Sequence, residues 1–217
     1  MSFLRDNWYN VGAVIFVALA FFMGFWGDHF SQLQVILIFS YMALLVHQYE
    51  EYALPGGAPA VLNYIFYGEK KDYDRFPINT QTRLVINALG YPFYIVPIFF
   101  PNLIWWGLGT MFFGFLRLVA HGIIMNIKGR TWYNPGLAAV IFLHVPIGIY
   151  YIVYVQQHGL VTWLDYILGV VGTIAAYAFC VILPIRILRS RETPYPFSAE
   201  EMNRFNVIGK LRAKGIA

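Results

Sequence analysis

Residues 103–127 read LIWWGLGTMFFGFLRLVAHGIIMNI, a run with one formal charge, Arg117, and one histidine, His121. At about 1.5 Å per residue such a run crosses the roughly 30 Å hydrocarbon core of a bilayer. It therefore reads as a transmembrane helix. Five more runs read the same way, at 10–26, 31–52, 83–101, 136–156 and 163–187. Asp28-His29, Pro101-Asn102, the segment from Lys128 to Pro135, and Gln156 to Gly159 separate neighbouring runs. The chain has 217 residues, 59% hydrophobic and 12% charged. A soluble domain carries about 25% charged residues. These values exclude a soluble globular domain, a disordered chain and a small disulfide scaffold, and a single cysteine, Cys180, excludes an intrachain disulfide.

The expected fold class is all-α, a polytopic integral membrane helix bundle with about six transmembrane helices. The first run lacks a small-residue cleavage site and reads as a retained span rather than a signal peptide. Lys and Arg cluster before the first run, between the second and third, between the fourth and fifth, and after the sixth. The positive-inside rule then places both termini in the cytoplasm. The expected organisation is a six-span membrane domain over 1–188 and a basic, soluble cytoplasmic tail over 189–217. In the second connection, Ala60 to Tyr67 reads either as a short interfacial helix or as an ordinary amphipathic loop. Asn79 or Thr80 is placed to cap the third span, and Pro92 and Pro97 to kink it.

Ionisable residues inside spans are costly and point to function. Here they are His47, Glu50 and Glu51 in the second span, Arg117 and His121 in the fourth, and His144 in the fifth. Counting about 1.5 Å per residue from the inner span ends, His47 lies about 8 Å deep, His121 about 9 Å, His144 about 12 Å and Asn87 about 6 Å. Four helices thus deliver polar groups to one layer. His47, Glu50 and Glu51 share an arc of about 100°. Gly107, Thr110, Gly114, Arg117 and His121 form a small or polar stripe suited to the bundle interior.

His47-Gln48-Tyr49-Glu50-Glu51 resembles the inverted zincin order, His-x-x-Glu-His, with Glu in place of the last His. On this reading His47 and Glu51 are metal ligands, His121 is the third and His144 is in reserve. Glu50 is the general base and Arg117 steadies an oxyanion or grips an anionic substrate group. The expected cofactor is a divalent metal, zinc first, with iron or manganese as alternatives. A single ion cannot serve His47 and His121 if they lie more than about 10 Å apart, since ligand bonds are about 2 Å. The bland readings are a polar cap at a helix end for His47, Glu50 and Glu51, and a buried ion pair between Arg117 and a Glu. For His144 the bland reading is a hydrogen bond to a carbonyl freed near Pro146. Asn87 reads first as helix-packing glue. His29 and His158 read as surface residues.

His47-Gln48-Tyr49-Glu50-Glu51-Tyr52 with Pro55-Gly56-Gly57, and His121 followed by Tyr133-Asn134-Pro135-Gly136, resemble the signatures of the HXXEE-domain family, small polytopic membrane proteins of unknown function. The resemblance spans residues 10–156. Where the family has Asn four residues before the second His, this chain has Arg117. The resemblance implies a helical membrane domain whose His and Glu residues matter, in a bacterial inner membrane, and supplies no activity. Tyr133 and Asn87 complete the site as candidate substrate contacts. The expected function is metal-dependent hydrolysis of a lipid or hydrophobic small-molecule substrate at the cytoplasmic leaflet. A proton- or cation-coupled carrier, and a non-catalytic subunit or assembly factor, are the alternatives. No nucleic-acid-binding module is read from the chain.

Overall fold

The computed structural model describes residues 2–215 and is helical throughout, with no strand among them. Six helices are long and apolar enough to cross a membrane. They are α1 (Ser2–Trp26), α2 (Gln32–Tyr52), α4 (Thr80–Phe99), α5 (Ile104–Gly129), α6 (Leu137–Gln157) and α7 (Trp163–Leu188). A short helix, α3, occupies 58–66, and two more, α8 (Ala199–Asn203) and α9 (Val207–Ala213), lie in the C-terminal segment.

The helix starts follow from local chemistry. The Ser31 hydroxyl accepts from Gln34 N–H while the Gln34 side chain accepts from Ser31 N–H, a reciprocal cap on α2. Thr162 and Asp165 do the same for α7. Asn79 Oδ1 accepts from the amides of Gln81 and Thr82 and starts α4, so Asn79 is the cap of the two residues expected there. Pro92 and Pro97 lie inside α4.

Helix α2 runs through the middle of the bundle and is buried along most of its length, whereas α1 leaves Val14, Phe21 and Phe25 exposed. In lipid, helices associate through close packing rather than escape from water. The small residues of α5 serve this purpose. A Cβ at Gly114 would lie 3.2 Å from the His144 Cβ of α6, and Thr173 of α7 donates to the Gly109 carbonyl of α5 at 3.0 Å. The stripe read from the sequence therefore does face the interior. One apolar cluster, with Leu33, Ile36, Leu37, Leu108 and Tyr151, fills one half of the bundle. A second, with Val61, Tyr64, Ile78 and Met125, fills the other.

Two segments outside the long helices pack against the bundle. Of the two forms expected for the first, a short helix or a loop, the structure has the helix, most of it buried in the fold. Ala60 and Asn63 are fully buried, and Asn63 exchanges hydrogen bonds with Ile78 and donates to the Tyr73 carbonyl. The tail expected to be soluble is docked. Phe197, Met202, Val207 and Leu211 join the second cluster, and Arg83 of α4, buried, forms an ion pair with Glu201. Arg204 donates to the Tyr52 carbonyl and the Tyr9 hydroxyl. The apolar residues scattered among the basic ones of this segment drive the docking. Residues Met1, Ile216 and Ala217 of the expected domains lie outside the described residues. The N-terminal segment and the tail meet at one end of the bundle, where the Arg5 guanidinium lies 4.3 Å from the Tyr195 ring.

Candidate metal centre

Three side chains from two helices converge between the apolar clusters. His47 and Glu51 stand one turn apart on α2, and His121 comes from α5. His47 Nε2 lies 3.7 Å from Glu51 Oε2, and His121 Nε2 lies 3.5 Å from Glu51 Oε1. One ligand atom from each of the three falls within 4.8 Å of the others. The two imidazole rings stand edge to face, 5.0 Å apart, well inside the limit for a shared ion. All three residues are buried.

The hydrogen bonds around the rings determine which nitrogens face the centre. His47 Nδ1 lies 3.0 Å from the Gly136 carbonyl, which can only accept, so Nδ1 carries the proton. His121 Nδ1 lies 2.7 Å from Asn134 Oδ1. Asn134 uses its amide hydrogens on the His121 carbonyl at 2.8 Å and Asn126 Oδ1 at 2.7 Å, so its own Oδ1 must accept. Both Nε2 atoms therefore point bare lone pairs toward a carboxylate. Acceptors facing acceptors at this range need a positive charge between them, a proton or a metal cation. Tetrahedral ligands on bonds of about 2.0–2.2 Å lie about 3.3–3.6 Å apart, close to the observed separations. Hydrogen-bonded partners on the distal ring nitrogens are the usual support of metal-binding histidines.

Helix irregularity contributes to the placement. His121 lies within a π-helical stretch of α5, Leu118–Met125, and His144 ends another in α6, Val140–His144. Such turns insert an extra residue and re-aim the side chains, and they recur at functional sites. Gly136, at φ 102°, closes the centre from the α6 side. A Cβ there would lie 2.7 Å from His121 Cε1 and 2.8 Å from His47 Cε1.

The remaining expected residues divide. Glu50 does not join the cluster. Its Oε1 accepts from the Tyr133 hydroxyl at 2.7 Å and Ala138 N–H at 3.0 Å, and its Oε2 accepts from Ala139 N–H at 2.7 Å. The residue read as a general base is instead the N-terminal cap of α6, with both oxygens engaged. Tyr133, read as a substrate contact, is committed to Glu50, and burial first and that hydrogen bond second raise its hydroxyl well above the ordinary tyrosine range. Asn87 bridges helices, accepting from Gln48 at 2.9 Å and donating to the Arg83 carbonyl at 2.8 Å. The bond to Gln48 is in keeping with its reading as packing glue, and Asn87 also lines a cavity beside the cluster. His144 lies outside the three-residue cluster, 5.7 Å from His47 ring to ring, and its buried Nε2 has no hydrogen-bond partner among the described residues. Arg117 forms no ion pair with Glu50 or Glu51 among the described residues and donates instead to the Tyr94 hydroxyl at 2.6 Å. His29 and His158 are exposed, as expected.

A cavity of about 170 Å³ opens beside the cluster. Its polar lining includes His47, Gln48, Glu51, Asn87, Arg117 and His121, and its apolar lining includes Phe93, Phe113, Ile86 and Val181. Asn134 and Gly136 are the contributors without an individual role in the sequence reading. Their signal was the Tyr133-Asn134-Pro135-Gly136 landmark itself.

The family model described as a protein of unknown function with HXXEE motif matches residues 38–151, and the chain belongs to that family. No curated protein and no solved structure matches it.

Proposed function

We propose that this member of the HXXEE family is a metal-dependent membrane hydrolase acting on a lipid or other hydrophobic substrate near the cytoplasmic leaflet. One observation carries the reading. Two buried imidazoles, each with its proton held on Nδ1, turn their Nε2 lone pairs toward Glu51 at the edge of a cavity with apolar walls. His47, Glu51 and His121 are the ligands. Zinc suits two imidazoles and a carboxylate, and iron or manganese can use the same donors. A zinc ion held there supplies Lewis acidity and lowers the pKa of water toward neutrality. Asn134 and the Gly136 carbonyl hold the imidazole tautomers, Arg117 offers positive charge where an oxyanion develops, and the apolar wall receives hydrocarbon. The scissile bond is an ester, amide or phosphate bond near a headgroup.

The orientation belongs to the same proposal. Lys and Arg crowd the end where both chain ends meet, which supports cytoplasmic termini in a bacterial inner membrane. A carrier needs a polar path to the opposite face, and the half of the bundle beyond the cluster is packed by Leu33, Ile36, Leu37 and Leu108. A purely structural subunit would pair these groups and leave no cavity.

The test is metal content by mass spectrometry on protein purified in mild detergent without chelators or a polyhistidine tag. About one equivalent of zinc, iron or manganese per chain is expected, and none in a His47→Ala, Glu51→Ala double variant. A well-folded wild type free of metal would overturn the proposal.

A further inference from the structure

Among the described residues Arg117 has no carboxylate within ion-pair distance, although Glu51 lines the same cavity. Its guanidinium offers five N–H donors, and the hydrogen bond it makes among those residues is the one to the Tyr94 hydroxyl. The rest of the group rests on aromatic surface, 4.7 Å from the Phe113 ring centroid and 5.6 Å from that of Tyr94. The acids that could neutralise it are engaged elsewhere. Glu50 caps α6, Glu51 faces the two imidazoles, and Glu201 pairs with Arg83. An arginine inside a membrane span is expensive, and one with spare donors lining a cavity is set to receive an anion.

The charge of the whole cavity points the same way. A divalent ion on one carboxylate and two neutral imidazoles leaves a net positive centre. Arg117 adds positive charge in the same cavity, whose apolar walls include Phe93, Phe113, Ile86 and Val181; the Arg83 that also lines it is paired with Glu201. Positive charge at one side and hydrocarbon at the other complement a ligand with the opposite distribution.

We infer that the substrate is an anionic amphiphile, its carboxylate or phosphate gripped by Arg117 beside Tyr94 and its hydrocarbon chain lying along the apolar wall. This rests on the hydrolase reading for the reaction, but the anion site is independent of it. A planar guanidinium matches carboxylate and phosphate oxygens in pairs, which a lysine cannot reproduce.

The experiment is calorimetric titration of the purified protein in neutral detergent with matched twelve-carbon ligands: laurate, dodecyl phosphate, monolaurin and dodecylamine. At least one of the two anions is expected to bind the wild type about tenfold more tightly than monolaurin, the scale of a charge-assisted hydrogen bond. Whichever anion binds better identifies the headgroup. Arg117→Gln is expected to bring the anion within about twofold of monolaurin. Arg117→Lys, which keeps the charge and guards against a folding defect in the Gln variant, is expected to retain part of the preference. Metal content measured on the same samples is expected to be unchanged in both variants, since Arg117 is not a ligand. Equal binding of anionic and neutral ligands by the wild type, or an anion preference that survives Arg117→Gln, would overturn the inference. A wild type without metal that still prefers anions through Arg117 would sink the hydrolase reading alone, so the two failures are distinguishable.

Discussion

At the scale of single residues, the centre depends on tautomers as much as on ligands. Asn134 is not among the three clustered side chains, yet its carbonyl oxygen holds the proton on His121 Nδ1 and so turns Nε2 toward Glu51. Removing such a partner typically costs 10–100-fold in metal affinity. Asn134→Ala is therefore expected to weaken metal binding by about that factor, read by competition against a chromogenic chelator, with little change in helix content. Gly136 is constrained twice, by its positive φ and by the ring carbons packed against it. Gly136→Ala is expected to cost at least ~1–2 kcal/mol from the left-handed backbone alone. It should also displace the imidazoles, so that melting temperature and metal content fall together. The histidines and acids of this centre stood out in the sequence because ionisable groups are rare in spans. Asn134 and Gly136 did not, because an amide and a glycine outside a helix carry no such penalty.

At the scale of elements, adjacent glutamates do different work because the helix points them at different neighbours. Glu51 faces α5 and its histidine, whereas Glu50 reaches the first turn of α6 and engages two amides and a phenol. Substituting them one at a time separates the roles. Glu50→Ala is expected to destabilise the fold by ~1–3 kcal/mol, through a lost cap and stranded donors, while keeping the metal. Glu51→Ala is expected to lose the metal and keep the apo fold. Thermal melting in detergent, with and without added zinc, checks both. If Glu50→Ala lost the metal at unchanged stability, the assignment of the two glutamates would be reversed. The spacing of the motif placed both on one face of α2. Only the arrival of α6, which brings Ala138 and Ala139 to Glu50 across 88 and 89 residues of chain, separates cap from ligand.

At the scale of the molecule, the C-terminal segment holds one end of the bundle together. The Arg83 side chain is fully buried, and that of Glu201 is 14% exposed, so the cost of breaking the pair falls toward the low end of the buried-pair range. Breaking a buried pair typically costs ~3–5 kcal/mol, because one charge is stranded. Arg83→Met is expected to lower stability on that scale and to release 199–213 to proteolysis. Pairing it with Glu201→Met should recover much of the loss, since the stranded carboxylate is removed. Acid should act on the same contacts. Burial by itself would raise the Glu201 carboxyl, but the Arg83 guanidinium and the Ser198 donors outweigh it and hold it below the ordinary glutamate range. The Arg191 hydrogen bond, helped by the Lys71 and Asp72 amides, holds Glu69 down at about 2. With folded-state values below the unfolded ones, both groups contribute in full above about pH 4.3. That contribution falls away progressively as pH drops further, and for Glu69 the loss is complete only below about 2. Melting temperature is expected to fall below about pH 4 in the wild type, and less steeply in Glu201→Gln.

Hydropathy and charge placement were enough to establish the helical class, the number of spans and the layer in which His47, Glu51, His121 and His144 lie. They suffice because the cost of moving side chains into lipid is a local property, summed residue by residue along one helix. The pairing of those residues is not local. His47 meets Gly136 across 89 residues, and Arg83 meets Glu201 across 118. Helix rotation, the π turns in α5 and α6, and the docking of the tail decided those partners. Tertiary packing thereby brought one glutamate to two imidazoles and made its neighbour a cap, left Arg117 without an ion pair among the described residues, and turned a basic tail into part of the core. Each outcome depends on which element comes to lie against which, and a periodicity within one helix carries no record of its neighbour.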